Sequence, residues 1–170
     1  MDESLRVINN MKEDGVIRDY AIGGAVAVMF YTEPIVTVDL DIIFIPIDEE
    51  KSILEPIPPV YKYLEERGYE PYKEYIMIEG VPVQFIPVFN ELVFEAVINA
   101  DDTTYENIKT KVLKPEYIIA IYMQLNRRRD REKIALLFEQ EEIDEALLED
   151  ILRRHNLFEK YTKTRRWYYE

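Results

Sequence analysis

The sequence predicts a mixed α/β (α+β) fold, in which a small mixed β-sheet flanked by helices is followed by a C-terminal helical segment. Short apolar runs of strand type recur in the first part of the chain, whereas apolar residues after Pro115 recur at helical spacing. The length of 170 residues suits one domain. We therefore expect a single domain over 1–170, with an α/β core at 1–113 and a helical part at 114–170.

The N-terminal region is predicted as helix, strand, turn, helix and strand. Apolar residues at helical spacing predict a helix over residues 3–14 that ends at Gly15. The stretch "DYAIGG" predicts a short strand that enters a glycine pair, and "AVAVMFY" predicts a helix of small residues. The stretch "IVTVDLDIIFI" is the strongest strand signal in the chain.

The middle region contains prolines that interrupt its elements. The stretch "EEKSILEPIPPVYKYLEERGYE" predicts an interrupted helix. The stretch "YKEYIMIEGVPVQFIPV" predicts two strands, and the prolines of the second favour an edge strand or a bulge. Residues 91–99 fit a short helix, and "TTYENIKTKVL" fits one further alternating strand. A domain boundary, if present, is expected near residues 100–115.

Helical periodicity dominates the remainder of the chain. Pro115 suits a helix start, and four helical stretches follow one another to the C-terminus. The basic, aromatic end "KTRRWYYE" fits either a terminal helix that covers the core or a surface that docks an acidic partner or an RNA end.

Composition and charge limit the chemistry that the chain can perform. No cysteine and one histidine are present, which disfavours thiolate sites, histidine metal clusters and Ser-His triads. Residues 1–100 carry 7 basic and 19 acidic side chains, so this half would repel nucleic acid unless cations intervened. The sequence has no membrane-spanning run and no signal pattern, so we expect a cytoplasmic location and no membrane partner. Catalysis, if present, must depend on carboxylates.

Two aspartates interrupt the strongest predicted strand. Side chains alternate between the faces of a strand, so Thr37, Asp39 and Asp41 are predicted to project from one side. Two neighbouring carboxylates repel each other unless a cation is present, and Mg²⁺ or Mn²⁺ prefers oxygen ligands. The pair Gly23-Gly24 would give an anionic phosphate chain close access to the backbone.

Simpler interpretations remain open for each motif alone. The two aspartates could lie on a solvated strand face, and the two glycines could form an ordinary turn. The order strand, glycine turn, helix and acidic strand favours a combined metal and phosphate site.

The stretches "GGAVAVMF" and "TVDLDIIF" resemble the signature of the nucleotidyltransferase superfamily, which has a polymerase-β-like fold. The pattern Gly-Gly-Ala followed by Thr-x-Asp-x-Asp is similar to AbiEii-type and minimal nucleotidyltransferases. The resemblance covers about the first hundred residues. It implies that Gly23, Gly24 and Thr37 bind the nucleotide, and that Asp39 and Asp41 hold divalent metals and act in catalysis.

The resemblance extends to the stretch "VLKPEYIIAIYMQLNRRRDREKI". It implies that Arg128 binds the nucleotide and that Asp130 is a further catalytic residue. Family members often carry a lysine within this helix, where the present chain has Tyr122. The stretch "RRRDRE" could equally be a solvated helix junction with local ion pairs.

Gln84 departs from the family pattern, which commonly places a third carboxylate on a later strand. Glutamine can offer a carbonyl oxygen to a metal, but it cannot act as a general base. The resemblance thus implies metal-dependent transfer of a nucleoside monophosphate from a nucleoside triphosphate to the hydroxyl group of an unidentified acceptor. The alternatives are a binding or regulatory protein without transfer activity, and a toxin that acts beside an antitoxin-like protein.

Overall fold

The computed structural model describes residues 1–37, 39–47 and 58–169. Seven strands form one mixed sheet in the order β3-β4-β5-β2-β1-β7-β6. The strands are β1 (Ile17–Gly23), β2 (Leu40–Pro46), β3 (Pro71–Tyr72), β4 (Tyr75–Ile78), β5 (Val81–Pro87), β6 (Asp101–Tyr105) and β7 (Ile108–Val112). The prediction of a mixed sheet flanked by helices is confirmed.

Nine α-helices are present in the described part of the chain. They are α1 (Asp2–Glu13), α2 (Gly24–Met29), α3 (Pro58–Glu65), α4 (Glu91–Ile98), α5 (Pro115–Leu125), α6 (Arg131–Gln140), α7 (Glu145–Arg154), α8 (Phe158–Thr164) and α9 (Arg166–Tyr169), with a 3₁₀ turn at Arg128–Asp130. The predicted interrupted helix is present from Pro58, and its first part, residues 48–57, lies outside the described residues.

The sheet centre combines antiparallel and parallel pairs. Strand β2 pairs antiparallel with β1 and parallel with β5, and β1 pairs parallel with β7. Apolar side chains of β1 and β2 are almost fully buried between the helices, as at Ile22, Ile42 and Phe44. Burial of this apolar area provides the main driving force for folding. The central strands therefore give the loops at their ends a rigid support.

The strand that carries the aspartates is shorter than predicted. It begins at Leu40 rather than at residue 35, and the Val36 side chain, which was expected on the apolar face, is 97% exposed. Pairing explains this start, because β1 ends with Gly23 opposite Asp41 and the β5 ladder begins with Val83 opposite Leu40. Residues before Leu40 therefore lack strand partners among the described residues.

Two further strand predictions were wrong. Strand β5 is neither an edge strand nor bulged in its described pairings, because its prolines occupy the second and last positions and leave the ladder to β2 between them intact. Residues 101–112 form an antiparallel hairpin rather than one strand. Its turn residues, Glu106 and Asn107, both have positive φ angles of 48° and 68°, as a tight hairpin turn requires.

The C-terminal helices pack onto the core through a carboxylate cluster and an aromatic cluster. Glu95 on α4 accepts hydrogen bonds from Arg154, at 2.5 and 2.8 Å, and from the Tyr117 hydroxyl at 2.9 Å. His155 Nε2 lies 3.3 Å from the same carboxylate. These contacts join α4, α5 and the end of α7.

The terminal segment covers the core, as one of the two predicted alternatives stated. Helix α9 packs against α6, and the Tyr168 ring is buried beside the Phe138 ring at a centroid distance of 6.2 Å. The Arg131 guanidinium lies over the Trp167 ring, 4.3 Å from its centroid. Over the described ranges, no helix has the length and apolar character needed to cross a membrane.

Candidate active site

The glycine pair brings the chain into close contact with one aspartate. Gly23 lies opposite Asp41 in the β1–β2 ladder. Gly24 has a φ angle of +59°, and a Cβ atom at this position would lie 2.0 Å from Asp41 Oδ2. A Cβ atom on Gly23 would lie 2.6 Å from Ile43 Cδ1. The side chain of Asp41 thus occupies the space that a residue larger than glycine would need.

Asp39 and Asp41 converge although only Asp41 belongs to strand β2. The pKa of Asp41 is raised to about 7, first by burial and then by a hydrogen bond with the Asp39 carboxyl group and by the Asp39 charge. Arg127 and Arg129 act in the opposite direction on the same pKa. The two carboxylates therefore repel each other in the absence of a cation.

The donor set at the acid pair fits a divalent cation. Asp41 Oδ1 is buried and accepts no hydrogen bond from any described residue. A buried carboxylate oxygen without a donor is costly, and a hard cation would remove that cost. Gln84 lies opposite Asp41 in the β2–β5 ladder and lines the same cleft, so its side chain could add a carbonyl oxygen. Among the described residues, no group of three or more His, Cys, Asp or Glu side chains could hold a metal.

The acid pair opens into a cleft of about 620 Å³ that also contains Gly24 and Gln84. Its cationic residues are Arg127, Arg129 and Lys133. Arg128, which the sequence assigned to the nucleotide, is exposed and is not among the residues that line this cleft. Its two neighbours, Arg127 and Arg129, line the cleft, and their charges act on Asp41.

Asp130 is buried and paired with cations. Its carboxylate accepts hydrogen bonds from Arg127 Nε at 2.5 Å and from Lys133 Nζ at 3.5 Å. Lys133 Nζ also lies 5.7 Å from the centroid of the Tyr122 ring. The lysine that the family pattern places in the preceding helix is absent at Tyr122, but a lysine from α6 reaches the same ring.

Thr37 lies at the entrance to the acid pair. Its hydroxyl donates a hydrogen bond of 3.3 Å to the backbone carbonyl of Asp39. Exposed apolar side chains also line the cleft, among them Val36, Phe89 and Leu125. The cleft therefore combines acidic, cationic and apolar side chains.

Sequence reasoning missed Arg127, Arg129, Lys133 and Phe89. The first three were within the basic stretch at 127–133, but a sequence does not show which residue of a consecutive run faces a cleft. Phe89 is 53% exposed and follows the predicted proline-containing strand. An exposed phenylalanine could be recognised only after its neighbours had been placed.

Comparison with solved structures finds the same fold in nucleotidyltransferase-like proteins. An antigenic nucleotidyltransferase-like protein from Paracoccidioides brasiliensis is 17% identical with a TM-score of 0.56, over 98% of this chain and 92% of that one. The crystal structure of ANT(2″)-Ia in complex with adenylyl-2″-tobramycin is 14% identical with a TM-score of 0.51, over 91% and 94% of the two chains.

The solution structure of ANT(2″)-Ia, an antibiotic-resistance factor, has the same identity of 14% and TM-score of 0.51 and covers 100% of both chains. No protein-family model matches the sequence, and no curated protein matches it. The chain is thus similar to nucleotidyltransferase-like proteins in its fold.

Proposed function

We propose that the protein is a metal-dependent nucleotidyltransferase, which transfers a nucleoside monophosphate from a nucleoside triphosphate to an acceptor hydroxyl. The observation that carries the proposal is the convergence of Asp39 and Asp41 beside Gly24, with one Asp41 oxygen left without a donor. The fold shared with nucleotidyltransferase-like proteins supports it, as does the adenylyl-tobramycin bound by ANT(2″)-Ia.

Each polar group of the cleft would have a defined role. Asp39 and Asp41, with Gln84 as a weaker ligand, would hold Mg²⁺ or Mn²⁺, which supplies charge neutralisation and acidifies the attacking hydroxyl. Arg127, Arg129 and Lys133 would bind the triphosphate and stabilise the charge that develops on its oxygens. The apolar side chains of the cleft would exclude water from the reacting phosphorus.

Asp130 would act as a positioning residue rather than as a ligand of the reacting atoms. Its hydrogen bonds with Arg127 and Lys133 fix the direction of both cations. A charge-assisted pair of this kind lowers the freedom of long side chains before the nucleotide arrives. Thr37 would bind the nucleotide at the entrance, where its hydroxyl already contacts the Asp39 backbone.

The test is metal-dependent nucleotide binding and transfer in Asp39→Asn/Asp41→Asn. Removal of both carboxylates should abolish Mg²⁺-dependent binding of nucleoside triphosphates in calorimetry and reduce label transfer by on the order of 10³-fold. Glu65→Gln/Glu66→Gln removes the same charge from exposed positions at the end of α3 and in the turn after it, and is the matched control. Equal binding by wild type and Asp39→Asn/Asp41→Asn would refute the site.

A second outcome identifies a protein that binds nucleotides without transferring them. Gln84 favours it, because an amide stands opposite Asp41 where the family commonly has an acid. Metal-dependent binding with no labelled product on any added acceptor would establish this outcome. Assignment to the AbiEii-type group and the antitoxin-like partner stay predictions, which co-expression with a neighbouring protein would test.

A further inference from the structure

A second cavity adjoins the acid pair, and its lining includes none of the three cationic side chains of the cleft. It has a volume of about 400 Å³ and shares Thr37 and Asp39 with the cleft of Gly24 and Arg129. Asp39 therefore lies between two spaces of different chemistry. One space carries three cationic side chains, whereas the other has no lysine or arginine among its described lining residues, which include Met1 with its α-ammonium group 3.6 Å from Asp2 Oδ1.

The walls of this second cavity are apolar. Its side chains come from the N-terminal residue, from α2 and the residue after it, from the first residues of β2 and β5, and from the end of β6. They are Met1, Val26, Met29, Phe30, Leu40, Val81 and Tyr105. Asp39 is the only carboxylate among the described lining residues. Such a cavity favours uncharged apolar ligands and disfavours polyanions, because no lysine or arginine among its described lining residues offsets their desolvation.

We propose that the apolar cavity is the acceptor site, and that the acceptor is an uncharged molecule with an apolar ring system and a hydroxyl group. This inference rests on the proposed function, since the hydroxyl must meet a nucleotide held on the other side of Asp39. A volume of about 400 Å³ falls in the range of small-molecule sites. The apolar body would fill the cavity and leave the hydroxyl at Asp39.

The atoms and electrons of the transfer step balance. The acceptor hydroxyl oxygen forms a bond to the α-phosphorus, and the bond between that phosphorus and the oxygen bridging to the β-phosphate breaks. Pyrophosphate leaves with the electron pair of the broken bond, and the hydroxyl proton passes to solvent through the Asp39 carboxylate. The second cavity contributes binding and orientation of the hydroxyl.

The first experiment measures the cavity without catalysis. N-phenyl-1-naphthylamine, an uncharged fluorophore, should bind wild type at one saturable site, with or without nucleotide and Mg²⁺. Val81→Trp and Met29→Trp should each weaken this binding at least tenfold, because both residues line the cavity and are only partly buried. Met77→Trp adds the same ring at a position that is 40% exposed and outside the cavity, and should leave binding unchanged.

The second experiment measures transfer from α-labelled nucleoside triphosphates to 2-(2-naphthyl)ethanol and to glycerol at equal concentration. Wild type should label the naphthyl alcohol at least tenfold faster, and Val81→Trp should lose this preference while retaining Mg²⁺-dependent nucleotide binding. Displacement of the fluorophore by nucleotide, or no preference for the apolar alcohol, overturns the acceptor proposal. Loss of metal-dependent nucleotide binding in the wild type would instead refute the proposed function, whatever the fluorophore does.

Discussion

Asp41 and Glu95 are both partly buried carboxylates, but their surroundings are opposite. Glu95 accepts hydrogen bonds from Arg154 and Tyr117, and the Arg154 guanidinium, ahead of the other donors, lowers the pKa of Glu95 to about 2. Asp41 has an oxygen without a donor from the described residues, and burial beside Asp39 raises its pKa to about 7.

The difference separates a carboxylate that stabilises the fold from one that is available to a ligand. Glu95 has its opposite charge built into the chain, so its contribution is present as soon as the helices dock. Asp41 faces another acid at close range, so its opposite charge has to come from outside. Four predictions test this comparison, from the largest expected effect to the smallest.

Gly24→Ala should disrupt the acid pair itself. The added Cβ atom would lie 2.0 Å from Asp41 Oδ2, so the carboxylate must move, and a displacement of about 1 Å can cost on the order of 10² in rate. Transfer of label from a nucleoside triphosphate measures the loss. Gly68→Ala is the matched control, since Gly68 has a φ angle of +86° with no described atom within 4 Å of the added Cβ. Equal loss in both variants would attribute the effect to backbone strain.

Glu95→Ala should lower the free energy of unfolding and leave nucleotide binding unchanged. The change removes the acceptor of two Arg154 hydrogen bonds and of the Tyr117 hydroxyl, and a bond to a charged group is worth about 1.5 to 3 kcal/mol. Urea unfolding checks the stability, and calorimetry checks the binding. Loss of nucleotide affinity in the folded variant would contradict the structural role of Glu95.

Arg129→Ala and Lys133→Met should each weaken triphosphate binding by roughly tenfold, or about 1.5 kcal/mol. Both residues line the cleft, whereas Arg128 does not. Arg128→Ala removes the same charge from a neighbour that does not line the cleft, and it should change the Kd by less than about twofold, because charges farther from the ligand are screened by salt. An equal effect of Arg128→Ala would reverse the assignment of the basic run.

The two carboxylates should respond to pH with opposite signs. The raised pKa of Asp41 means that the folded state keeps a proton which the unfolded state releases between pH 3.8 and about 7. Metal-free wild type should therefore lose stability relative to Asp41→Asn as pH rises through that window. Mg²⁺ should restore the lost stability above pH 7.

The lowered pKa of Glu95 gives the reverse dependence. Its contribution is complete above its ordinary pKa of 4.5 and declines as pH falls toward about 2. Thermal melting of wild type, Asp41→Asn and Glu95→Gln across both pH ranges tests whether the two carboxylates change stability with pH in opposite directions. A melting difference that is independent of pH for either variant would contradict the corresponding pKa shift.

Sequence patterns predicted the elements whose cues are local. The glycine pair and the apolar run around Asp41 located β1, the turn and β2, because positive φ and continuous apolar character are properties of single short segments. The convergence of Asp39 with Asp41 was also expected, but its cause differs. Asp39 precedes the strand, so the loop geometry rather than strand alternation brings it to Asp41.

Errors arose where structure depends on distant partners. Strand β2 begins where its pairing with β1 and β5 begins. No feature of the sequence at residues 35–39 shows this position. The hairpin at 101–112 continues the alternating pattern through a turn without glycine, so one strand and two strands look alike. The choice among Arg127, Arg128 and Arg129 depends on a single 3₁₀ turn.

The Glu95 cluster has a consequence for shortened versions of the protein. A fragment that stopped ahead of Arg154 would keep the whole sheet and both cavities, yet it would leave the carboxylate on α4 facing Tyr117 alone. Such a fragment would unfold or aggregate for reasons unrelated to catalysis. A cut ahead of Arg154 therefore removes this partner of Glu95 in addition to the core-covering residues Tyr161 and Tyr168.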